Sequence, residues 1–355
     1  MSYGETSRSR WGSNPEYVNA RARSRKGKLF DDDDYRRLVR MGTGEIARFM
    51  EESEYEAEIN ALGARHSGVD LIEYALNRNL AKHFDDLLDW AEGRLYHQIA
   101  AYVRKFDAWN VKTVLRGVYT GTDREAIETD LIRAGEFDDR FLEELVASGS
   151  IEEVVERLEG TIFGEPLEAA FEDYEETDLL VPLENAVDRT FYENLLSDVQ
   201  GNDEPTRLYV EFLRAEIDFR NVRNGLRIAR TDADIDPSEY FIEGGELFSP
   251  TELRELTRDR EALEAAIRDS TYGDDLDEAL ALLSDVESLI GFERALEAAL
   301  LEYSDHLSHV YPLSVCPVLA YILAKEREVE NVRAIARGRE AGLTEQEIQE
   351  ELVIL

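Results

Sequence analysis

The stretch Asp107-Ala-Trp-Asn110-Val111-Lys112-Thr-Val-Leu115-Arg116 is written twice more in the same chain. It returns as Asp218-Phe-Arg-Asn221-Val222-Arg223-Asn-Gly-Leu226-Arg227 and as Glu328-Val-Glu-Asn331-Val332-Arg333-Ala-Ile-Ala336-Arg337. A second element keeps the same step: Glu73-Tyr-Ala75-Leu76, Glu184-Asn-Ala186-Val187 and Glu293-Arg-Ala295-Leu296, followed four positions later by Leu80, Phe191 and Leu300. A weaker third pairs Ile46 with Met50, Val154 with Leu158 and Leu263 with Ile267, and Gly27, Gly135 and Gly245 mark where each copy starts. Ordered elements at one period are the signature of a tandem repeat, here a unit of roughly 110 residues written three times. Turn chemistry at Thr120-Gly121-Thr122-Asp123 and Thr231-Asp232-Ala233-Asp234 places the cuts near 122 and 232. The expected units are 1–122, which carries an N-terminal extension, 123–232 and 233–355.

Within each copy the apolar residues recur at three and four, as in Leu253, Leu256, Leu263 and Ile267, and the whole chain has only eight prolines. That is a helical period. Ser249-Pro250-Thr251-Glu252 and Thr344-Glu345-Gln346-Glu347 read as capping boxes, the first with proline at the first helical position. The expectation is an all-α protein of three similar helical domains. Each domain has two short helices, then a long helix with the Glu-x-Ala element, then a long helix with the Asn-Val-Arg element. Three copies alone leave open a linear stack or a closed arrangement.

The chain has 355 residues, 43% of them hydrophobic, which is enough for a sizeable core and excludes a disordered chain. Forty basic against seventy-eight acidic side chains leave a formal charge of −38, a field that repels phosphate backbones and excludes nucleic acid as a partner. Lys26, Lys28, Lys82, Lys105, Lys112 and Lys325 are the only lysines, so the cations are mostly arginine. This composition resembles that of proteins from salt-loving archaea, where a Debye length of about 3 Å in molar salt removes most of the self-repulsion. The single cysteine, Cys316, cannot form an intrachain disulfide, and no apolar signal segment opens the chain, so it reads as intracellular. The most apolar stretch, Val310 to Leu323, is too short for a bilayer and holds Pro312 and Pro317, so it reads as a buried helix start.

The repeated cations call for a reason. Lys112 and Arg116, Arg223 and Arg227, and Arg333 and Arg337 sit four apart on one helical face, where like charges repel. One reading pairs them inside the chain with Glu73, Glu184 and Glu293, one guanidinium per glutamate within each unit. The other makes them a three-part lining that grips an acidic partner. Asn110, Asn221 and Asn331 read as packing residues whose amides need partners if buried. The basic run Asn14 to Leu29, followed by Asp31 to Asp34, reads as a solvated first helix or, less simply, as an address for anionic lipid or an acidic subunit.

Catalytic patterns are absent from the sequence. There is no GxxxxGK[ST] phosphate loop, and Gly42-Thr-Gly44 lacks the third glycine of a dinucleotide fingerprint. His306 and His309 share a helical turn without a third ligand, and Cys316 between prolines reads as inert core. No cofactor, metal or direct nucleotide binding is expected, and the chain reads as a non-catalytic one.

Four blocks carry a resemblance: Tyr17-Val-Asn-Ala-Arg-Ala-Arg, Asn110-Val-Lys-Thr-Val-Leu-Arg-Gly117, Asp218-Phe-Arg-Asn-Val-Arg, and the long run from Pro312 to Gly338. From Tyr17 onward the chain resembles the C-subunit family of archaeal A-type ATP synthases, which includes the d subunit of vacuolar ATPases. Cys316 stands where that family usually has glycine or another small residue. The resemblance implies an all-helical funnel of three domains about a pseudo-threefold axis, at the cytoplasmic face of the cell membrane. Its implied partners are the D and F subunits of the central shaft and the membrane proteolipid ring, between which it would act as a socket for proton-driven ATP synthesis. A helical scaffold unrelated to rotary ATPases is the rival that repeat architecture alone permits.

Overall fold

The computed structural model describes residues 13–353 apart from 200, 202, 230–240, 257 and 271–288, and of 226–229, 260, 289, 290 and 292 it describes the backbone only. Among these residues every regular element is an α-helix and none is a strand. The first third holds α1 (Pro15–Lys26), α2 (Asp32–Leu38), α3 (Thr43–Glu51), α4 (Glu56–Leu62), α5 (Gly68–Trp90), α6 (Gly93–Val103) and α7 (Lys105–Thr120). The middle third holds α8 (Arg124–Asp130), α9 (Asp139–Val146), α10 (Ile151–Arg157), α11 (Gly164–Thr177), α12 (Val181–Ser197) and α13 (Glu204–Ala229). The last holds α14 (Pro250–Leu256), α15 (Arg260–Arg268), α16 (Leu289–Val310), α17 (Cys316–Glu340) and α18 (Glu345–Gln349).

Local chemistry sets these boundaries. The Ser249 hydroxyl accepts from the Glu252 N–H at 3.3 Å while the Glu252 carboxylate accepts from the Ser249 N–H at 2.9 Å, and Thr344 with Glu347 repeats the exchange at 3.2 and 2.8 Å. Each such cap is worth about 1 kcal/mol. Pro317 lies in the first turn of α17, where its missing N–H costs nothing. Gly121, at φ 67°, supplies the left-handed residue that ends α7. The cut expected near 122 falls in this exposed turn, and the one near 232 lies outside the described residues.

In the first two thirds the short helices outnumber the two expected before the long pair, because Asp31, Asp138 and Ser150 each cap a separate one, whereas among the described residues of the last third two, α14 and α15, precede α16. The Asn-Val-Arg helix of the first third is also broken at Arg104, so that α6 and α7 together correspond to α13 and α17. This break lets α6 pack on α5 while α7 continues onto α12.

The Glu-x-Ala elements lie on α5, α12 and α16. Each Asn-Val-Arg helix packs on the Glu-x-Ala helix of the following third: α7 on α12, α13 on α16, and α17 back on α5. The last contact brings the end of the chain to its beginning. One apolar core runs from Val18 to Leu352, and a smaller one joins α13 to α16 through Phe219, Val222, Leu253, Leu263, Ile267 and Leu296. Among the described residues no helix is long and apolar enough to cross a membrane. The Val310 to Leu323 stretch is divided between two helices, with Val315, Cys316, Val318 and Leu319 buried.

Candidate functional site

Residues 105, 109, 112 and 116 of α7 are spaced to share one helical face, and so are 216, 220 and 223 of α13 and 326 and 330 of α17. All of them line one half-open cavity of about 420 Å³ between the three helices, with further walls from α12 and α16. Six basic and six acidic side chains line it, so its formal charges balance inside a chain of charge −38. At one end the helices bond to one another across the cavity wall. Lys105 donates to Glu326 at 2.8 Å, and Glu216 accepts from Tyr102 at 3.2 Å and Tyr192 at 3.0 Å. Higher up, the three register-equivalent residues differ in kind, namely Trp109, Arg220 and Glu330. Glu330 is open to the cavity but surrounded by protein. Removal from bulk water, with Glu297 and then Glu326 beside it, holds its carboxyl above the usual range.

The paired cations sit above that level and bond between thirds. Lys112 donates to Asp188 at 2.5 Å, and Arg116 grips both oxygens of Glu184, with its Nη2 at 3.1 Å. Arg337 grips both oxygens of Glu73, its Nη2 at 2.8 Å, and also reaches Asp130 at 3.0 Å. Arg333 donates to Asn77 at 2.6 Å and lies 3.6 Å from Glu73. Burial alone would raise the Asp188 carboxyl, but Arg220 and Lys112 outweigh it and hold the group below its usual range. In the third copy of the motif Glu293, Glu297 and Arg223 line the cavity together, and Arg223 is the strongest opposing charge on Glu297. The Arg227 side chain lies outside the described residues. The expectation of one guanidinium per glutamate within each unit therefore needs correction. Arg116 goes to Glu184 and Arg337 to Glu73, because each cationic face is turned toward the next Glu-x-Ala helix along the chain and not toward its own.

The three asparagines are buried, and each holds both backbone groups of a single residue. Asn110 takes the N–H and C=O of Ile132 at 2.8 and 2.7 Å, Asn221 those of Ile242 at 2.9 and 2.8 Å, and Asn331 those of Val353 at 2.9 and 2.9 Å. The acidic residue three positions earlier completes the grip. Asp107 accepts from the N–H groups of Glu136 and Phe137, Asp218 from those of Glu246 and Leu247, and Glu328 from that of Phe30. Burial pushes the Asp107 carboxyl up to about 6, although its two backbone donors pull it down. Because the folded value is raised, stability from this group is fully present below about pH 4 and is lost as pH rises through about 6. The expected result is that Asp107→Asn flattens the fall in urea midpoint between those two pH values. An unchanged slope would remove Asp107 as its source.

The basic run of α1 keeps a solvated face, with Arg21, Arg23 and Lys28 exposed, but several of its cations are paired within the chain. Arg25 pairs with Asp86, Lys26 with Asp305 and Lys28 with Glu54, and Arg21 and Arg25 lie over the Trp90 ring at 4.6 and 4.4 Å. Val18, Asn19 and Ala22 of the same helix are buried. Sequence reasoning also missed Asp188, which the Glu-x-Ala period could have flagged four residues after Glu184, and the buried Lys325, which lies outside the repeated motif whose first residue, Glu328, it pairs with. Cys316 is a free, buried thiol, and among the described residues no histidine, cysteine and carboxylate group is arranged to hold a metal.

The sequence model of the "ATP synthase (C/AC39) subunit" family matches residues 18–351. The chain is similar to the C subunit of the A-type ATP synthase of Haloferax volcanii, 67% identical over 97% of this chain and 99% of that one. It is similar to the Halobacterium salinarum protein of the same name at 61% over 97% and 98%. The likeness extends outside the halophiles to Methanosarcina acetivorans, at 36% over 97% and 94%. A match across nearly the whole length shows that the chain belongs to the ATP synthase C/AC39 subunit family and is a subunit of a rotary A-type ATP synthase.

Proposed function

We propose that this chain is the non-catalytic socket of the central stalk, a collar of three units, 1–122, 123–232 and 233–355, about a pseudo-threefold axis. It holds the D and F shaft subunits on one side and rests on the proteolipid ring on the other, as a peripheral protein at the cytoplasmic membrane face. The observation that carries this reading is that three copies of one helix turn the same face onto one cavity. Its 420 Å³ is roughly the volume of one turn of a helix 10 Å across, which suits the tip of a helical shaft. The role is mechanical. An ion crossing 100 mV releases about 2.3 kcal/mol, so several must load this junction before one ATP forms elsewhere in the assembly. Close-packed helices resist that shear.

The charge balance of the lining says how the shaft is held. Balanced charges gain little from long-range attraction, and exposed ion pairs contribute about 0–1 kcal/mol even in dilute salt. Apolar and hydrogen-bonded contacts therefore do the holding. The purified chain is expected to retain the D and F subunits on an affinity resin from 0.1 M to molar salt, with less than about a tenfold change in affinity. Binding that vanished in molar salt would overturn the balanced-lining account. No binding at any salt would overturn the socket itself.

A further inference from the structure

Two of the three asparagine clamps grip a segment that runs on continuously. Asn110 holds Ile132, and Asp107 holds the N–H groups of Glu136 and Phe137 just beyond it. Asn221 and Asp218 treat Ile242, Glu246 and Leu247 in the same way. At α17 the grip is split. Asn331 holds Val353, but the N–H that Glu328 accepts belongs to Phe30. Between Val353 and Phe30 the chain runs the long way round, through both other clamps. A short covalent tether keeps gripped segments at millimolar effective concentration, and this joint lacks one.

A cation stands beside each clamp, Arg104 paired with Glu136, Arg214 with Glu246 and Lys325 with Glu328, but only the last is fully buried. Lys325 lies against Glu328 and Tyr55, where the register-equivalent residues are the partly exposed Arg104 and, in α13, the apolar Ala215. Arg327 adds a second donor to the Val353 carbonyl at 2.6 Å, and its other end lies 3.5 Å from Asp32 of α2. Helix α1 is laid across the same join, with Asn19 donating to the carbonyls of Pro312 and Ser314 at 2.9 Å. These side chains replace by contact what the other two junctions have by connectivity.

We propose that the split clamp at Glu328 and Asn331 is the one joint at which the collar opens, the Val353 and Phe30 segments parting there while the two continuous clamps stay shut. This rests on the collar reading above. It gives a closed collar a way on and off a shaft without threading.

Hydrogen exchange of the isolated chain tests it, because the N–H groups of Ile132, Ile242 and Val353 each donate to an equivalent asparagine oxygen. Val353 is expected to exchange at least about tenfold faster than the other two. Simple fraying is separated by a circular permutant that joins Leu355 to Met1 through a Gly/Ser linker and opens between Thr122 and Asp123. In it the order reverses, with Ile132 fast and Val353 slow. If Val353 stays fast there, or if the three sites exchange alike in the natural chain, the inference is overturned. Should the permutant not fold, Asn331→Ala in the natural order is expected to speed exchange at Phe30 as well as Val353 and to leave Ile132 and Ile242 unchanged. Uniform acceleration at all four would overturn it. Shaft retention measured in parallel keeps the two readings apart, since lost retention with the expected exchange order sinks the socket and not the joint.

Discussion

Gly245→Ala is expected to lower the stability of the fold by about 3–5 kcal/mol, and Gly135→Ala to do the same. A β-carbon at Gly245 would stand 2.0 Å from Oδ1 of Asp218, and one at Gly135 would stand 2.0 Å from Oδ1 of Asp107. Neither glycine has a left-handed backbone, so the cost is steric. The carboxylate must swing away and lose two backbone donors, each worth about 1.5–3 kcal/mol to a charged acceptor, and it is buried where water cannot replace them. Urea midpoints measure this. Gly44→Ala is the control, because nothing lies within 4 Å of its added carbon and it sits in α3, where alanine is the better helix former by about 0.5–1 kcal/mol. Gly135→Ala combined with Asp107→Ala should recover part of the loss, since it removes the colliding group. A Gly135→Ala chain as stable as the Gly44→Ala control would mean that the carboxylate has another place to go.

Lys325→Met should cost about as much, roughly 3–5 kcal/mol, through a different mechanism. The Lys325 ammonium is fully buried, 2.7 Å from Glu328 and 2.9 Å from the Tyr55 hydroxyl, and 4.1 Å from the centre of the Tyr55 ring. Burial pulls its pKa down, while Glu328 opposes that pull. Methionine fills a similar volume and leaves the Glu328 carboxylate without its counter-charge. Adding Glu328→Gln removes the stranded charge and keeps an acceptor for the Phe30 N–H, so the double variant should recover at least half of the loss. Thermal melts of the single and double variants decide the matter. A single variant within about 1 kcal/mol of wild type would show that water reaches this pair. Because Glu328 also holds Phe30, this variant loosens the join between the two ends of the chain, and its effect on shaft retention should exceed that of an equally destabilising change in α9 or α10.

How far the site was legible follows from what each pattern encodes. Lys112 and Arg116, with their equivalents, stood out because a helical period reports which residues share a face. It does not report what that face meets. Hence Glu184 was legible as a partner class for an arginine, but its assignment to Arg116 of the preceding third, and not to an arginine of its own third, was not. The asparagines show the same division. Asn110, Asn221 and Asn331 recur in register, yet the residues they hold, Ile132, Ile242 and Val353, share only an apolar side chain, because the contact is to backbone and backbone has no sequence. Gly135 and Gly245 left a readable trace, since only glycine admits the aspartate so close. Spacing groups Gly27 with them. The structure sets Gly27 apart, since a β-carbon there meets only the Arg23 and Ser24 carbonyls at 3.7 and 3.8 Å and the longer Glu328 reaches the N–H of Phe30 instead.

Periodicity, capping residues and self-similarity are local or strictly repeated properties of the chain, and they were enough to determine an all-helical class, a motif written three times, and the residues that recur on each cationic face. Which third each face meets, the half-open cavity between α7, α13 and α17, and the meeting of Val353 with Phe30 were decided only by the tertiary structure. Such contacts join residues up to 298 apart, and their energy depends on the simultaneous packing of several helices, a property no single segment of sequence carries.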